Sequence, residues 1–186
     1  MDKKLIITIN REFGAGGRQI ADLLGQQLGL KVYDRHFLET VKEKHHLSSE
    51  EMERIKAEKP SWWNSPSVTS EQLYEEEKQI LLSIAEQDSC IILGRTGFHI
   101  FRDNPDAVKI FLIADKNYRR DRVARRLNTT DGNADLVIER VDRARENFAF
   151  TFSGKSRYDV HNYDLIINVT NRQPEQVVKA IIDYIK

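Results

Sequence analysis

The chain has 186 residues, with 29 Lys and Arg against 29 Asp and Glu, so its formal charge is zero. That length suits one domain with a sizeable core, burying roughly 70% of the unfolded surface, and the neutral balance argues against bulk electrostatic binding of nucleic acid. A single cysteine, Cys90, excludes an internal disulfide and any cysteine-built zinc site. No apolar run approaches the ~20 residues of a membrane span, and Leu5–Ile9 is too short for a signal peptide. The expected compartment is the cytoplasm, with neither a membrane nor a nucleic acid as partner.

The predicted elements alternate between strands and helices. Leu5–Ile9 reads as a β-branched apolar strand, and Ile20, Leu23, Leu24 and Leu28 then share one helical face that Gly29 stops. Lys31–Asp34 is a short strand, like an edge. Residues 35–70 break the alternation and read as a helical insertion; adjacent Trp62 and Trp63 there can stack a base or simply anchor a loop. Helix 71–88 follows with Leu73, Ile80, Leu81, Ile84 and Ala85 on one stripe, then strands at Cys90–Leu93 and Val108–Ile113. An Arg-rich helix carries Val123 and Leu127, and the next carries Leu136, Val137, Val141, Ala144 and Phe148. Strand Leu165–Val169 and a helix opened by Pro174 close the chain. Continuous apolar runs in the strands indicate burial on both faces, as in a parallel α/β sheet.

Between the first strand and first helix lies Asn10-Arg-Glu-Phe-Gly-Ala-Gly-Gly-Arg-Gln19. Gly14, Gly16 and Gly17 permit positive φ and close backbone approach. Amides there can converge on an anion, helped by the helix dipole. The strict phosphate-loop pattern, G-x-x-x-x-G-K-[ST], fails in three places. Arg11 stands at the opening glycine, Gly17 at the lysine, and neither Arg18 nor Gln19 supplies the hydroxyl. The bland alternative is a tight turn with no ligand. The functional reading takes Arg11 or Arg18 as the replacement cation, since a guanidinium is permanently charged and grips phosphate bidentately.

Ile7–Ala21, Tyr33-Asp34-Arg35, Cys90-Ile-Ile-Leu-Gly-Arg95, Val141-Asp-x-Ala-Arg-Glu-Asn-Phe148, Phe152-x-Gly154 and Tyr163–Asn168 together resemble the cytidylate kinase-like family over nearly the whole chain. The resemblance implies a P-loop NTPase-like three-layer α/β fold over residues 1–186, with a central five-stranded parallel sheet. The 35–70 insertion would lie on the acceptor side and 128–158 would form a lid. It implies ATP with Mg2+ as donor, a small nucleotide such as CMP as acceptor, and leaves a homodimer open. One departure is plain: the sequence after Gly94-Arg95 is Thr96-Gly97-Phe98-His99, without the Asp that helps cytidylate kinases hold the pyrimidine nucleotide.

By the same resemblance, Arg11, Glu12, Phe13, Gly14, Ala15, Gly16, Gly17, Arg18 and Gln19 would bind the donor phosphates, and Asp34, Arg35 and Arg95 the acceptor. Arg18, Arg122, Arg126, Arg140 and Arg143 would neutralise charge during transfer. Helical spacing puts Arg122 with Arg126, and Arg140 with Arg143; Arg145 diverges from Arg143. The alternatives are a solvated basic face, surface ion pairs to Glu139, Asp142 and Glu146, and an Asp34–Arg95 pair tying two loops. No protein metal ligand is expected, because the five histidines lack zinc spacing. Two rival functions remain: a degenerate kinase that binds nucleotide without turnover, and an RNA-binding module, which the zero charge disfavours.

Overall fold

The computed structural model describes residues 4–34 and 70–186. The expected insertion, apart from Ser70, lies outside the described residues, as do Arg35, Trp62 and Trp63. In chain order the elements are β1 (Ile6–Arg11), α1 (Gly17–Leu28), β2 (Lys31–Tyr33), α2 (Ser70–Gln87), β3 (Cys90–Leu93), α3 (Gly97–Ile100), β4 (Ala107–Ile113), α4 (Lys116–Leu127), α5 (Asp131–Ser153), β5 (Leu165–Asn168) and α6 (Pro174–Ile185). The strands pair in the order β2-β3-β1-β4-β5, and every pairing is parallel. This is the three-layer arrangement expected from the sequence.

The continuous apolar runs have a direct cause. Successive side chains of a strand leave opposite faces, and both faces are covered. Ile7, Ile9, Ile91, Leu93, Ile110 and Leu112 pack with Ile20, Ala21 and Leu24 of α1 and Val177, Val178 and Ile181 of α6. Their neighbours Ile6, Cys90 and Ile92 turn to the other face, against Leu81, Ile84 and Ala85 of α2 and Phe101. Gly29 ends α1 in the left-handed region, φ 67°, and returns its amide to the Gly25 carbonyl. Among the described residues, no helix is long and apolar enough to cross a membrane.

β1 sits at the centre, with β3 on one side and β4 on the other. The strand order therefore reverses beside β1, and the carboxyl ends of β1, β3 and β4 open onto one crevice. That crevice is where parallel α/β sheets bind ligands.

One predicted stripe is out of register. On α5 the buried positions are Ala134, Ile138, Asp142 and Ala149, not the set built on Leu136 and Ala144. Leu136 is 65% exposed, and on α4 Leu127 is 46% exposed. Ala134 and Ile138 instead join Val123 of α4 in a small core. The rest of the inward face belongs to polar groups that hold the glycine loop, so an apolar pattern could not locate it. Ile91→Ala, in the central sheet, should cost about 2–5 kcal/mol, whereas Leu136→Ala should stay within about 0.5 kcal/mol; urea midpoints of the two variants check the assigned register.

Candidate active site

β1 runs straight into the glycine loop. The Glu12 amide donates to the Leu112 carbonyl at 3.0 Å and the Ala15 amide to the Glu12 carbonyl at 3.3 Å. Gly14 holds φ +90°, and a β-carbon there would lie 2.9 Å from the Arg119 carbonyl oxygen. Both strain and space thus require glycine. The first helical bond of α1 runs from the Ile20 amide to the Gly16 carbonyl, 3.2 Å. Among the described residues, the amides of Gly14, Gly16, Gly17, Arg18 and Gln19 have no hydrogen-bond acceptor. They gather at the amino end of a helix, the arrangement that attracts anions.

The loop floors a cavity of about 980 Å³ whose lining includes Arg11, Arg18, Arg122, Arg125, Arg126 and Arg145, against only Glu12, Asp22 and Glu175. In a chain of zero net charge, this is a strong local excess of cation. Phe13 organises part of it. The Arg126 guanidinium lies 4.8 Å from the ring centroid and that of Arg145 5.4 Å, both within cation–π range. Arg122 approaches the loop itself, its Nη2 standing 3.0 Å from where a Gly16 β-carbon would be.

A buried network fastens the loop to α5. Asp142 accepts the Phe13 amide at 2.9 Å, Arg119 Nη1 at 2.7 Å and Arg157 Nη2 at 3.2 Å. Arg119 also donates to the Phe13 carbonyl at 3.2 Å and pairs with Glu12 at 3.5 Å. Glu12 in turn accepts the Ala114 amide at 2.9 Å. Arg157, 2% exposed, reaches the Arg11 carbonyl at 3.1 Å, and Arg145 donates to the same oxygen at 3.4 Å.

The arginines fall into two electrostatic classes. Arg18 pairs with Asp22 and Asp34; partial desolvation works the other way, yet these carboxylates hold its pKa above the usual value. Arg11 and Arg145 are pulled down. Burial, then the charges of Arg145 and Arg157, lowers Arg11 to about 9. Burial, then Arg157, lowers Arg145 to about 10. Both remain protonated at pH 7, so at neutral pH the folded protein bears the cost of their crowding, which a bound polyanion would relieve.

Of the residues expected from the sequence, Arg11, Glu12, Phe13, Gly14, Gly16, Gly17, Arg18, Gln19, Arg122 and Arg126 line the cavity. Ala15 turns inward and is 2% exposed, packed in the main core. Arg140 and Arg143 do not line it. They occupy the exposed side of α5, where Arg143 pairs with Glu139 one turn away. The helical turn brings Arg145 to the cavity instead. Of the residues expected to meet an acceptor, Asp34 pairs with Arg18, while Arg95 pairs with Glu77 and lies 4.8 Å over the Phe148 ring. Sequence reasoning missed Arg157 and the anchoring roles of Arg119 and Asp142. The available signal was the Val141–Phe148 motif, in which Asp142 and Arg145 stand three apart on one helical face.

A parallel sheet of this order with a glycine loop after β1 defines a P-loop kinase-type fold. Solved structures agree. An uncharacterized protein from Eubacterium ventriosum superposes with TM-score 0.79 at 22% identity, covering 98% of both chains. Shikimate kinase from Bacteroides thetaiotaomicron gives 0.57 at 15% identity, covering 97% of each chain. A gluconokinase from Sinorhizobium meliloti gives 0.54 at 10%, covering all of this chain and 93% of that one. A model of the cytidylate kinase-like family matches residues 6–171, and the chain belongs to that family. Curated relatives include the cytidylate kinases of Sulfurisphaera tokodaii, 27% identical over 97% of this chain and 95% of that protein, and of Archaeoglobus fulgidus, 28% identical over 95% and 92%.

Asp142→Ala should destabilise the protein by about 3–5 kcal/mol, because it strands Arg119 and Arg157 without their carboxylate. Denaturant unfolding tests this, and an effect under 1 kcal/mol would remove Asp142 from the anchoring role.

Proposed function

We propose that this chain transfers the γ-phosphoryl group of Mg·ATP to a small phosphorylated acceptor, a nucleoside monophosphate of the CMP type. The observation that supports it most is the cavity itself: free loop amides at the amino end of α1, with six arginines around them. Membership of the cytidylate kinase-like family gives the reaction class its precedent.

In this reading the 11–19 loop binds the donor phosphates through its amides. Arg122 and Arg126 approach from α4 and Arg145 from α5. Asp34 and Arg95, at the strand ends beyond, position the acceptor, with Arg35 sharing that role by the family resemblance. An oxygen of the acceptor phosphate attacks the γ-phosphorus in line. The bond to the β–γ bridging oxygen breaks, its electron pair leaves with ADP, and the acceptor becomes a diphosphate. That oxygen is already anionic, so no side chain need remove a proton. Alignment and neutralisation of the spreading charge supply the rate. Magnesium accompanies ATP as part of the substrate. Arg18 stands where the pattern has a Ser or Thr hydroxyl, and among the described residues no group of three His, Cys, Asp or Glu side chains is placed to hold an ion.

Residues 128–158 would serve as the lid. α5 is tied to the loop through Asp142, which sets its inner face, with Arg145, beside the phosphate site. Gly17 and Arg18, in place of the lysine and the hydroxyl residue, also motivate a second reading, a kinase relative that binds nucleotide without turnover.

An ADP-release assay across nucleoside monophosphates, their deoxy forms and small alcohols separates the two. The proposal expects at least one monophosphate to raise the rate well above acceptor-free hydrolysis. Tight ATP binding with no stimulation by any acceptor would favour the second reading. With the active acceptor, Arg145→Ala should lower kcat about 10²-fold or more, and Arg143→Ala less than about tenfold. The reverse ranking would put the outer face of α5 on the substrate.

A further inference from the structure

The strict loop opens on glycine and places lysine six residues later; this chain reverses both, with Arg11 at the first position and Gly17 at the second. The structure explains why the two changes occur together. A β-carbon on Gly17 would meet Arg11 Cγ at 2.7 Å, Cβ at 3.1 Å and Cδ at 3.3 Å. The aliphatic stem of Arg11 therefore fills the space by which any side chain at 17 would leave the backbone. A lysine at 17 and an arginine at 11 exclude one another.

The far end of Arg11 is also provided for. Its guanidinium lies against Gly94, just past β3, where an added β-carbon would collide with Nη1 and stand 3.6 Å from Cζ. Two glycines thus clear a path for one side chain, which runs from the start of α1 to the strand end that leads to Arg95. Along that path Arg11 has no ion pair and no side-chain hydrogen bond among the described residues, and it lines the cavity. Arg119 and Arg157, the structural arginines, are both paired with Asp142. Arg18, the other candidate cation, is held by two carboxylates. Arg11 is the unspent charge of the loop.

We propose that Arg11 and Gly17 are a compensating pair, in which the phosphate-binding cation is delivered from the opening position of the loop through space that the missing lysine leaves vacant. The proposal rests on the phosphoryl-transfer reading above. It adds which side chain takes the lysine's part, and it places the charge where donor phosphates face the acceptor. A guanidinium there can bridge two phosphate oxygens, whereas an ammonium presents a point charge.

The test measures calorimetric affinity for Mg·AMP-PNP, a non-hydrolysable ATP analogue, together with the ligand-free Tm of each variant. Arg11→Met keeps the stem and removes the charge. It should weaken binding about tenfold to a hundredfold while leaving Tm unchanged or higher, because a cation crowded by Arg145 is gone. Gly17→Lys alone should weaken binding, since two stems compete for one volume. The double variant R11G/G17K should recover affinity to within about fivefold of wild type, a coupling that independent sites do not show. Wild-type affinity in Arg11→Met overturns the proposal and leaves the kinase reading standing. So does a folded double variant that binds no better than R11G. Absence of saturable binding by the wild-type protein overturns both.

Discussion

Positive charge is crowded around one backbone turn, and a single carboxylate keeps the crowd in place. Asp142 accepts the Phe13 amide from the loop, Arg119 from α4 and Arg157 from beyond α5. Three elements distant in sequence thereby meet at one side chain. With that anion present, Arg119 can lie so close to Gly14 that no other residue fits, and Phe13 can present its ring to Arg126 and Arg145. Without it, several guanidiniums would repel one another in a partly dry setting, where charge interactions are strong.

The anchoring and the cavity-lining arginines differ in how their charge is answered. Arg119 and Arg157 are neutralised inside the fold. Arg11 and Arg145 are not, and their pKa values are held down by burial and by neighbouring guanidiniums. The protein thus keeps an uncompensated positive charge at a site already lined by free amides. Preorganised donors of this kind need no rearrangement when an anion arrives. That economy explains how a chain of zero net charge can present a strongly cationic cavity.

Much of the fold was legible in the sequence. The runs around Ile7, Ile91 and Ile110 announce strands buried on both faces, and Gly29 stops its helix as expected. The glycine loop was legible from its placement after a strand. The stripe on α5 was not, because Asp142 takes an inward position that apolar periodicity assigns to Val141 and Ala144. The same rotation hid Arg145, which lines the cavity while Arg140 and Arg143 lie on the exposed side of α5. Arg157 was invisible for a different reason. A buried arginine is recognisable only once its partners, here Asp142 and the Arg11 carbonyl, are known in space. Arg11 and Gly17 could be read as two departures from a pattern, but only the 2.7 Å approach shows that they share one volume.

The central claim is that this turn and its cations form a seat for a polyphosphate. The most direct measurement is the amide proton–nitrogen NMR spectrum of the protein during titration with Mg·AMP-PNP. Saturable shifts concentrated at Gly14, Gly16, Gly17 and Arg18, with Gly29 and Gly154 unmoved, are the predicted result. Shifts absent from those four amides while the analogue binds elsewhere would contradict the account.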